Sequence, residues 1–482
     1  MVNKLTFEQK QSFDYILSLM EPVSPYGREA LRLLQPACPG EEERLRREFA
    51  DIKCIMDSRR RAESLYSRLE GVFGQLKDIR GAVSRIGGVL SDVDLFGIKR
   101  YLLELQEISS LFEEININCG VIFNAALPAL SLLDPEGNRV CVFAVSERYA
   151  PDLVAIRAEK RAVERELRAA SSEDERALLT ARRGVLADRE NAEEDIARAF
   201  LSRELLPWKD ALLRNTQAIG RLDLLIQKAA LAAKHNCCFP EIGGGILRFT
   251  EMINPEVDRL LTVSGGVFTP LSLELDAGAA VITGANMGGK SVALRTLTLN
   301  VLLIHCGICP FAREAVCPLF DGVFLISGDT EAAERGLSSF GGEIVRLNRA
   351  LSAAEDGRVF ILLDEFAKGT NPTEGAAVAR GVCAYLNTKS AYTVMATHFE
   401  GVAAFAGRHY QVAGLTNIDM AGAETLTPEE RVTLIARYMD YGIRPVDAGC
   451  QPPVNAVDMC RLLGLPGKVL ETIESCGGGC VG

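Results

Sequence analysis

Near the start of the chain the apolar residues fall at helical spacing. Phe13, Ile16, Leu17 and Met20 share one face, and Thr6 and Gln9 ahead of them have the spacing of a capping box. Pro22, Pro25 and Gly27 break this helix, a second begins over 28–34, and 36–40 interrupts the pattern before a charged helix from about Glu41. Residues 151–206 are dense in Arg and Glu. Within them Ser171 and Ser172, followed by Glu173, Asp174 and Glu175, predict a turn and a new helix start, hence a helical hairpin. After Pro207 a long helix is expected to about His235, with Leu205, Leu212, Ile219, Leu222 and Ile226 as an apolar stripe suited to core packing.

Near Pro240 the pattern changes. Glycines at 243–245, 265 and 266 punctuate short apolar runs, and 271–275 alternates as a strand does. Strand-like and helix-like segments then alternate to about Ser475, the mark of an α/β domain. The expected division is an all-α domain over 1–240 with an arm at about 151–206, an α/β domain over 241–475, and a Gly/Cys tail over 476–482.

Acids and bases nearly balance in the 151–206 segment, which predicts a solvated arm laced by i,i+4 ion pairs rather than a nucleic-acid clamp. A net charge of −11 over 482 residues also argues against a broad nucleic-acid surface, though not against a local basic patch. The N-terminus has no basic–apolar–small signal pattern. The apolar run over 121–133 is broken by Asn124 and Pro128 and is too short to span a bilayer. A cytoplasmic protein with no membrane partner is expected. The chain has 14 cysteines, scattered as free thiols would be. Cys306 and Cys309, just after His305, and Cys476 and Cys480 in the tail lack a second pair at zinc-ribbon spacing, so no metal site is expected from them.

The chemistry is concentrated in the α/β half. Residues 283–291 read TGANMGGKS, a phosphate-binding loop GxxxxGKS set between an apolar strand over 279–282 and a helix-like run over 292–304. Its glycines let backbone N–H groups turn inward around a triphosphate, Lys290 reaches the β- and γ-phosphates, and the Ser291 hydroxyl suits Mg²⁺. ATP and Mg²⁺ are the expected ligands. The run VFILLDE over 359–365 is a strand buried on both faces and ending in two carboxylates. Asp364 is placed to hold Mg²⁺ through water beside Ser291, and Glu365 to orient or deprotonate an attacking water. A third apolar strand ends at Thr397 and His398, where an imidazole can sense the γ-phosphate.

Together these segments resemble the MutS family of ATPases. TGANMGGKS is similar to that family's TGPNMGGKS, with Ala285 in place of proline. DEFAKGTNPTEG over 364–375 is similar to DEIGRGTSTYDG, with Lys368 where the family has Arg; ATHFE over 396–400 to ATHYxEL; and GLSSFGGE over 336–343 to SGRSTFMVEM. The resemblance implies an ABC-type P-loop ATPase domain preceded by a helical core and lever domain. It also implies a dimer that sandwiches each nucleotide between subunits. Residue by residue, Gly284, Ala285, Asn286, Met287, Gly288, Gly289, Lys290 and Ser291 would cradle phosphate; Ser291 and Asp364 would hold Mg²⁺. Glu365, His398 and Lys290 would form the hydrolytic cluster, Ser338 would reach the γ-phosphate of the opposite subunit, and Phe268 would stack on adenine. The chain as read leaves no room for an N-terminal mismatch reader or a later nuclease-like domain. The expected function is a DNA-associated dimeric clamp, a homodimer or a pair with a related subunit, without its own reader. The competing function is ATP-driven remodelling of a protein partner, because the 364–375 stretch also resembles short MutS-like proteins linked to reactivation of cobalamin-dependent aminomutases.

Overall fold

The computed structural model describes residues 7–477 except 125, 141, 264, 285–288, 328–338, 416–426, 428–429, 432–438, 447–456, 458–459 and 462, with side chains from residue 12. The candidate cap Thr6 and the tail beyond Gly477 lie outside the described residues. Contacts gather the chain into two compact units: residues 1–20, 34–53 and 228–482 in one, and 21–33 and 54–227 in the other. This grouping cuts across the composition change near Pro240. Periodicity reports that a segment is helical, whereas the partner of its apolar face is a long-range fact.

The smaller unit is helical. It holds α2 (Pro25–Arg32), α4 (Glu63–Gln75), α5 (Arg80–Ser84), α6 (Asp92–Ile115), α7 (Leu127–Leu133), α8 (Asp152–Ala169), α9 (Glu173–Leu205) and the first part of α10 (Lys209–Lys234). The five residues expected as a stripe, Leu205, Leu212, Ile219, Leu222 and Ile226, are all buried, but Leu205 is the last residue of α9 and only the other four lie on α10. Helix α2 starts earlier than its sequence suggested. Pro25, read as a breaker, occupies its first turn behind the N-cap Ser24, where a missing N–H costs nothing. Gly27, also read as a breaker, lies inside the helix because α10 passes so close. A Cβ there would sit 2.2 Å from the Asp223 carboxylate. Asp223 cannot retract freely, since it accepts hydrogen bonds from Ser24 N (2.7 Å), Ser24 Oγ (2.6 Å) and Val23 N (3.2 Å).

The hairpin of α8 and α9 turns at Ser172, whose side chain caps α9 by accepting from Glu175 N. At 33 residues, α9 is ~50 Å long. The two helices are joined less by i,i+4 pairs than by pairs across the hairpin. Arg157 reaches Glu190 at 3.0 Å and Glu194 at 2.8 Å, Lys160 pairs with Glu190, and Arg182 and Arg183 reach Glu159 and Glu164. Between them Leu153, Ile156, Val163, Leu179 and Leu186 are buried. The charged pattern is therefore a zip over a narrow apolar seam rather than a fully solvated face.

The larger unit contains α1 (Phe7–Ser18), the first part of α3 (Glu42–Arg59) and two sheets. In the smaller sheet β1 (Glu241–Ile242), β2 (Ile246–Met252), β3 (Leu271–Asp276) and β5 (Glu314–Cys317) are ordered β1-β5-β2-β3. The larger sheet is built from β4 (Gly278–Thr283), β6 (Gly322–Ser327), β7 (Val359–Asp364), β8 (Tyr392–Ala396), β9 (Arg408–Leu415) and β10 (Met439–Pro445), in the order β10-β9-β4-β8-β7-β6. All its pairings are parallel except β9 with β10. Residues 359–363 and 392–396 are buried throughout, as strands covered on both faces must be. Helices α12 (Lys290–His305), α13 (Ser339–Asp356) and α14 (Pro372–Asn387) alternate with these strands, and α11 (Pro255–Val263) and a C-terminal helix, Gly467–Gly477, lie outside that alternation. Cys476 belongs to this last helix rather than to a loose tail. No helix among the described residues is long and apolar enough to cross a membrane.

The first cysteine pair caps α12. Cys306 ends the helix, and burial pushes its thiol up to about 12. His305 Nδ1 lies 2.7 Å from the Ala37 carbonyl, and burial pulls the imidazole down to about 4. Among the described residues no cluster of three or more His, Cys, Asp or Glu could hold a metal.

Two outcomes are expected. Gly27→Ala gains ~1 kcal/mol of helix propensity but drives a methyl group into a carboxylate held by three donors. We expect a net loss of about 2 kcal/mol, read by urea unfolding; an unchanged midpoint would refute the close approach. The second concerns Glu190, whose carboxyl is held below the ordinary range by Lys160 first and then by Arg157. Because its folded value is depressed, its stabilisation is complete above the unfolded value of about 4.3 and is lost as pH falls through the folded value. Glu190→Gln should flatten the acid slope of stability in that window, and an identical slope would exclude the carboxylate.

Candidate functional site

The parallel register of β4, β8 and β7 decides where the chemistry sits. Ile282 on β4 pairs with Ala396 on β8, and Ala396 pairs with Asp364 on β7. The loops that follow these strands therefore open on one edge of the sheet, the carboxyl edge where open α/β sheets place ligands.

The loop after β4 begins at Gly284, whose φ of +124° disfavours any side chain and where a Cβ would lie 2.4 Å from Val412 Cγ2. Thr283 Oγ1 is tied to His409 Nε2 at 2.8 Å, which anchors the strand end. His409 was invisible in the sequence because β9 is a neighbour of β4 only in space. The loop closes at Gly289, the N-cap of α12 with φ +88°. Ala285, Asn286, Met287 and Gly288 lie outside the described residues, as does Ser338, immediately before α13.

Lys290 is 2% exposed and donates to the Gly284 carbonyl at 2.6 Å. Burial pulls its pKa down, opposed by Glu365 and Asp364. The Ser291 hydroxyl donates to Asp364 Oδ1 at 3.0 Å, and burial raises the Asp364 carboxyl despite that bond. A hydroxyl and a carboxylate side by side at a helix N-terminus are hard oxygen ligands of the kind Mg²⁺ takes together with phosphate. The donor set fits that ion.

Glu365 follows in a left-handed backbone conformation, φ +48°, and so does Ala367, φ +65°. Each costs about 1–3 kcal/mol in a residue with a Cβ. The geometry aims Glu365 inward: Oε1 is 3.9 Å from both Lys290 Nζ and His398 Nδ1, while Oε2 accepts from Lys368 Nζ at 2.5 Å. His398 follows β8, its imidazole pulled down by burial and partly restored by Glu365. The structure thus brings together Lys290, Ser291, Asp364, Glu365 and His398. Phe268 stands apart from them in its setting: it precedes β3 and is only 4% exposed, so a base could stack on it only if its neighbours gave way.

One residue of this neighbourhood carried no role in the sequence reading. Glu343, 1% exposed on α13, accepts a hydrogen bond from Ala367 N at 2.8 Å. It lies in the quoted GLSSFGGE segment, but a glutamate one turn into a helix looks solvated until its packing is known.

Residues 280–469 match the protein family described as MutS domain V. Among curated proteins the chain is similar to endonuclease MutS2 of Symbiobacterium thermophilum, 31% identical over 291 residues, covering 59% of this chain and 34% of that protein. Endonuclease MutS2 of Enterococcus faecalis is 30% identical over 57% of this chain and 33% of its own length. The DNA mismatch repair protein MutS of Natronomonas pharaonis is 30% identical over 57% and 30% respectively. The chain spans about a third of the length of these relatives. The matched stretch contains most of β4 and all of α12, β7 and β8, so the side chains gathered at their ends fall inside the part of the chain that is similar to MutS domain V.

Proposed function

We propose that this chain binds ATP with Mg²⁺ at the carboxyl edge of the larger sheet, hydrolyses it in a dimer, and uses the cycle in association with double-stranded DNA. The observation that carries the reading is the convergence of Lys290, Ser291, Asp364, Glu365 and His398 on one edge. Bound Mg²⁺ would offset charge on the β- and γ-phosphate oxygens. Ser291 and Asp364 are the residues to hold it, and the buried ammonium of Lys290 is the cation to meet the phosphates, exchanging the Gly284 carbonyl for them. Glu365 Oε1 is the atom to orient a water and accept its proton. His398 would bear on the γ-phosphate, Phe268 on the base, and Ser338 on the nucleotide of the opposite subunit. The DNA association draws support from the names of the relatives, a mismatch repair protein and endonucleases.

Glu365→Gln is expected to bind ATP within about threefold of the parent while turnover falls by at least ~100-fold; parental turnover would remove Glu365 from its role. Lys290→Ala is expected to weaken ATP by at least about tenfold, since charge-assisted bonds to phosphate are lost. For the dimer, mixing Lys290→Ala with Ser338→Ala should restore partial turnover, because one composite site then keeps both groups. Mixtures as inactive as their parts would contradict the shared site. Duplex DNA should stimulate turnover, with the effect fading as salt rises. Turnover indifferent to duplex at every salt concentration would remove DNA from the cycle.

A further inference from the structure

Among the described residues of the site, the turn that carries Glu365 has a constrained backbone. Glu365 and Ala367 both lie in the left-handed region, which residues with a Cβ avoid unless their surroundings impose it. Ala367 is fully buried, and two neighbours close on it. On its carbonyl side α14 comes so near that a Cβ on Gly375 would stand 2.6 Å from Ala367 O. On its amide side the acceptor is the Glu343 carboxylate at 2.8 Å.

Glu343 is an expensive residue for that place. Its neighbours Phe340, Ile344 and Leu347 pack into an apolar cluster that also holds Leu363, Phe366 and Ala367. A leucine would serve that packing without the desolvation cost of a carboxyl group. What a leucine could not do is accept the Ala367 N–H, and a buried amide without an acceptor is itself costly. The helix bearing Glu343 is held in turn. One turn further along α13, Arg346 donates to the carbonyl of Ser327 at the end of β6, and Ser327 is the register partner of Asp364. The acceptor is therefore fastened to the same sheet edge that ends in the acidic pair.

We infer that Glu343 is a positioning residue for hydrolysis: by accepting the Ala367 N–H it holds the left-handed turn that points the Glu365 carboxylate between Lys290 and His398. This rests on the role proposed above for Glu365. In this role Glu343 acts through the backbone: it sets the angle at which Glu365 presents Oε1. Without it the turn can relax toward ordinary backbone angles and carry that oxygen out of line, where displacement by about an ångström costs up to ~100-fold in rate. Gly284, Lys290 and Ser291 make other contacts, so nucleotide affinity should not follow.

The test compares Glu343→Ala and Glu343→Gln with the parent chain in ATP binding, turnover and amide hydrogen exchange. Glutamine keeps a carbonyl oxygen for the Ala367 N–H; alanine does not. In Glu343→Ala we expect kcat to fall about 10- to 100-fold, ATP affinity to stay within about threefold, and the peptide covering 365–368 to exchange faster. Glu343→Gln should recover most of the turnover and the slow exchange. If Glu343→Ala does not fold, Glu343→Asp, whose acceptor is withdrawn by one methylene, takes its place with the same expectation. The inference is overturned if the exchange rises while kcat is unchanged, if glutamine is as slow as alanine, or if affinity falls in step with turnover. A parent chain that hydrolyses no ATP would instead overturn the ATPase reading beneath it, and the exchange measurement, which needs no nucleotide, tells the two failures apart.

Discussion

The parallel pairing of β4, β8 and β7 is the constraint on which the site depends. Side chains in a strand alternate faces, so a register slip of one residue would reverse every one of them. The register here is fixed by burial on both faces: Val281, Ile282, Leu362, Leu363, Met395 and Ala396 are all buried. Sliding any of these strands would open cavities above and below the sheet together. The alignment of Ile282 with Ala396, and of Ala396 with Asp364, is thus enforced by the core rather than by the polar residues it positions. The geometry of the candidate site is inherited from apolar packing.

That inheritance explains what could be read from the chain. The phosphate loop, the acidic pair and His398 each follow a run of apolar residues, and the strand end is where a polar residue can first escape the core. The hairpin could be read because Ser172 and the acids behind it cap a helix by purely local chemistry. Gly27 was misread for the opposite reason. Its local signal is that of a breaker, but it is needed by Asp223, a residue close to it only after folding. Glu343 and His409 belong to the same class, since each is defined by a partner on another element. The ion pairs of the hairpin were expected within each helix and are found chiefly across it, because Leu153, Ile156 and Val163 turn one side of α8 toward α9 and bring the flanking charges with them.

The strained turn shows how a fold can spend stability on direction. Two left-handed residues next to a buried carboxylate are unfavourable by several routes at once: about 1–3 kcal/mol for each backbone conformation and the desolvation of Glu343, which raises its carboxyl above the ordinary range. Burial of Phe366 and Ala367 in the sheet's core cluster offsets this, at about 25 cal/mol per Å² of apolar surface. The segment holds a costly shape because the residues between its polar members are apolar and fully packed.

Several described polar groups of the site pair with one another. Lys290 rests on a carbonyl of its own loop, Ser291 on Asp364, and Glu365 on Lys368. A buried ammonium with no partner would be strongly destabilising, and these contacts remove that penalty without fixing the groups permanently. On the proposed reading a magnesium-bound triphosphate would take over the first two: phosphate oxygens for the carbonyl on Lys290, and a metal for the hydroxyl proton on Asp364. Binding at such a site exchanges partners instead of creating them, so its net gain is smaller than the sum of the new contacts. The Lys368–Glu365 pair differs, because Lys368 is more than half exposed and the pair is accordingly weak. Of the three contacts, the Lys368–Glu365 pair is the easiest to release.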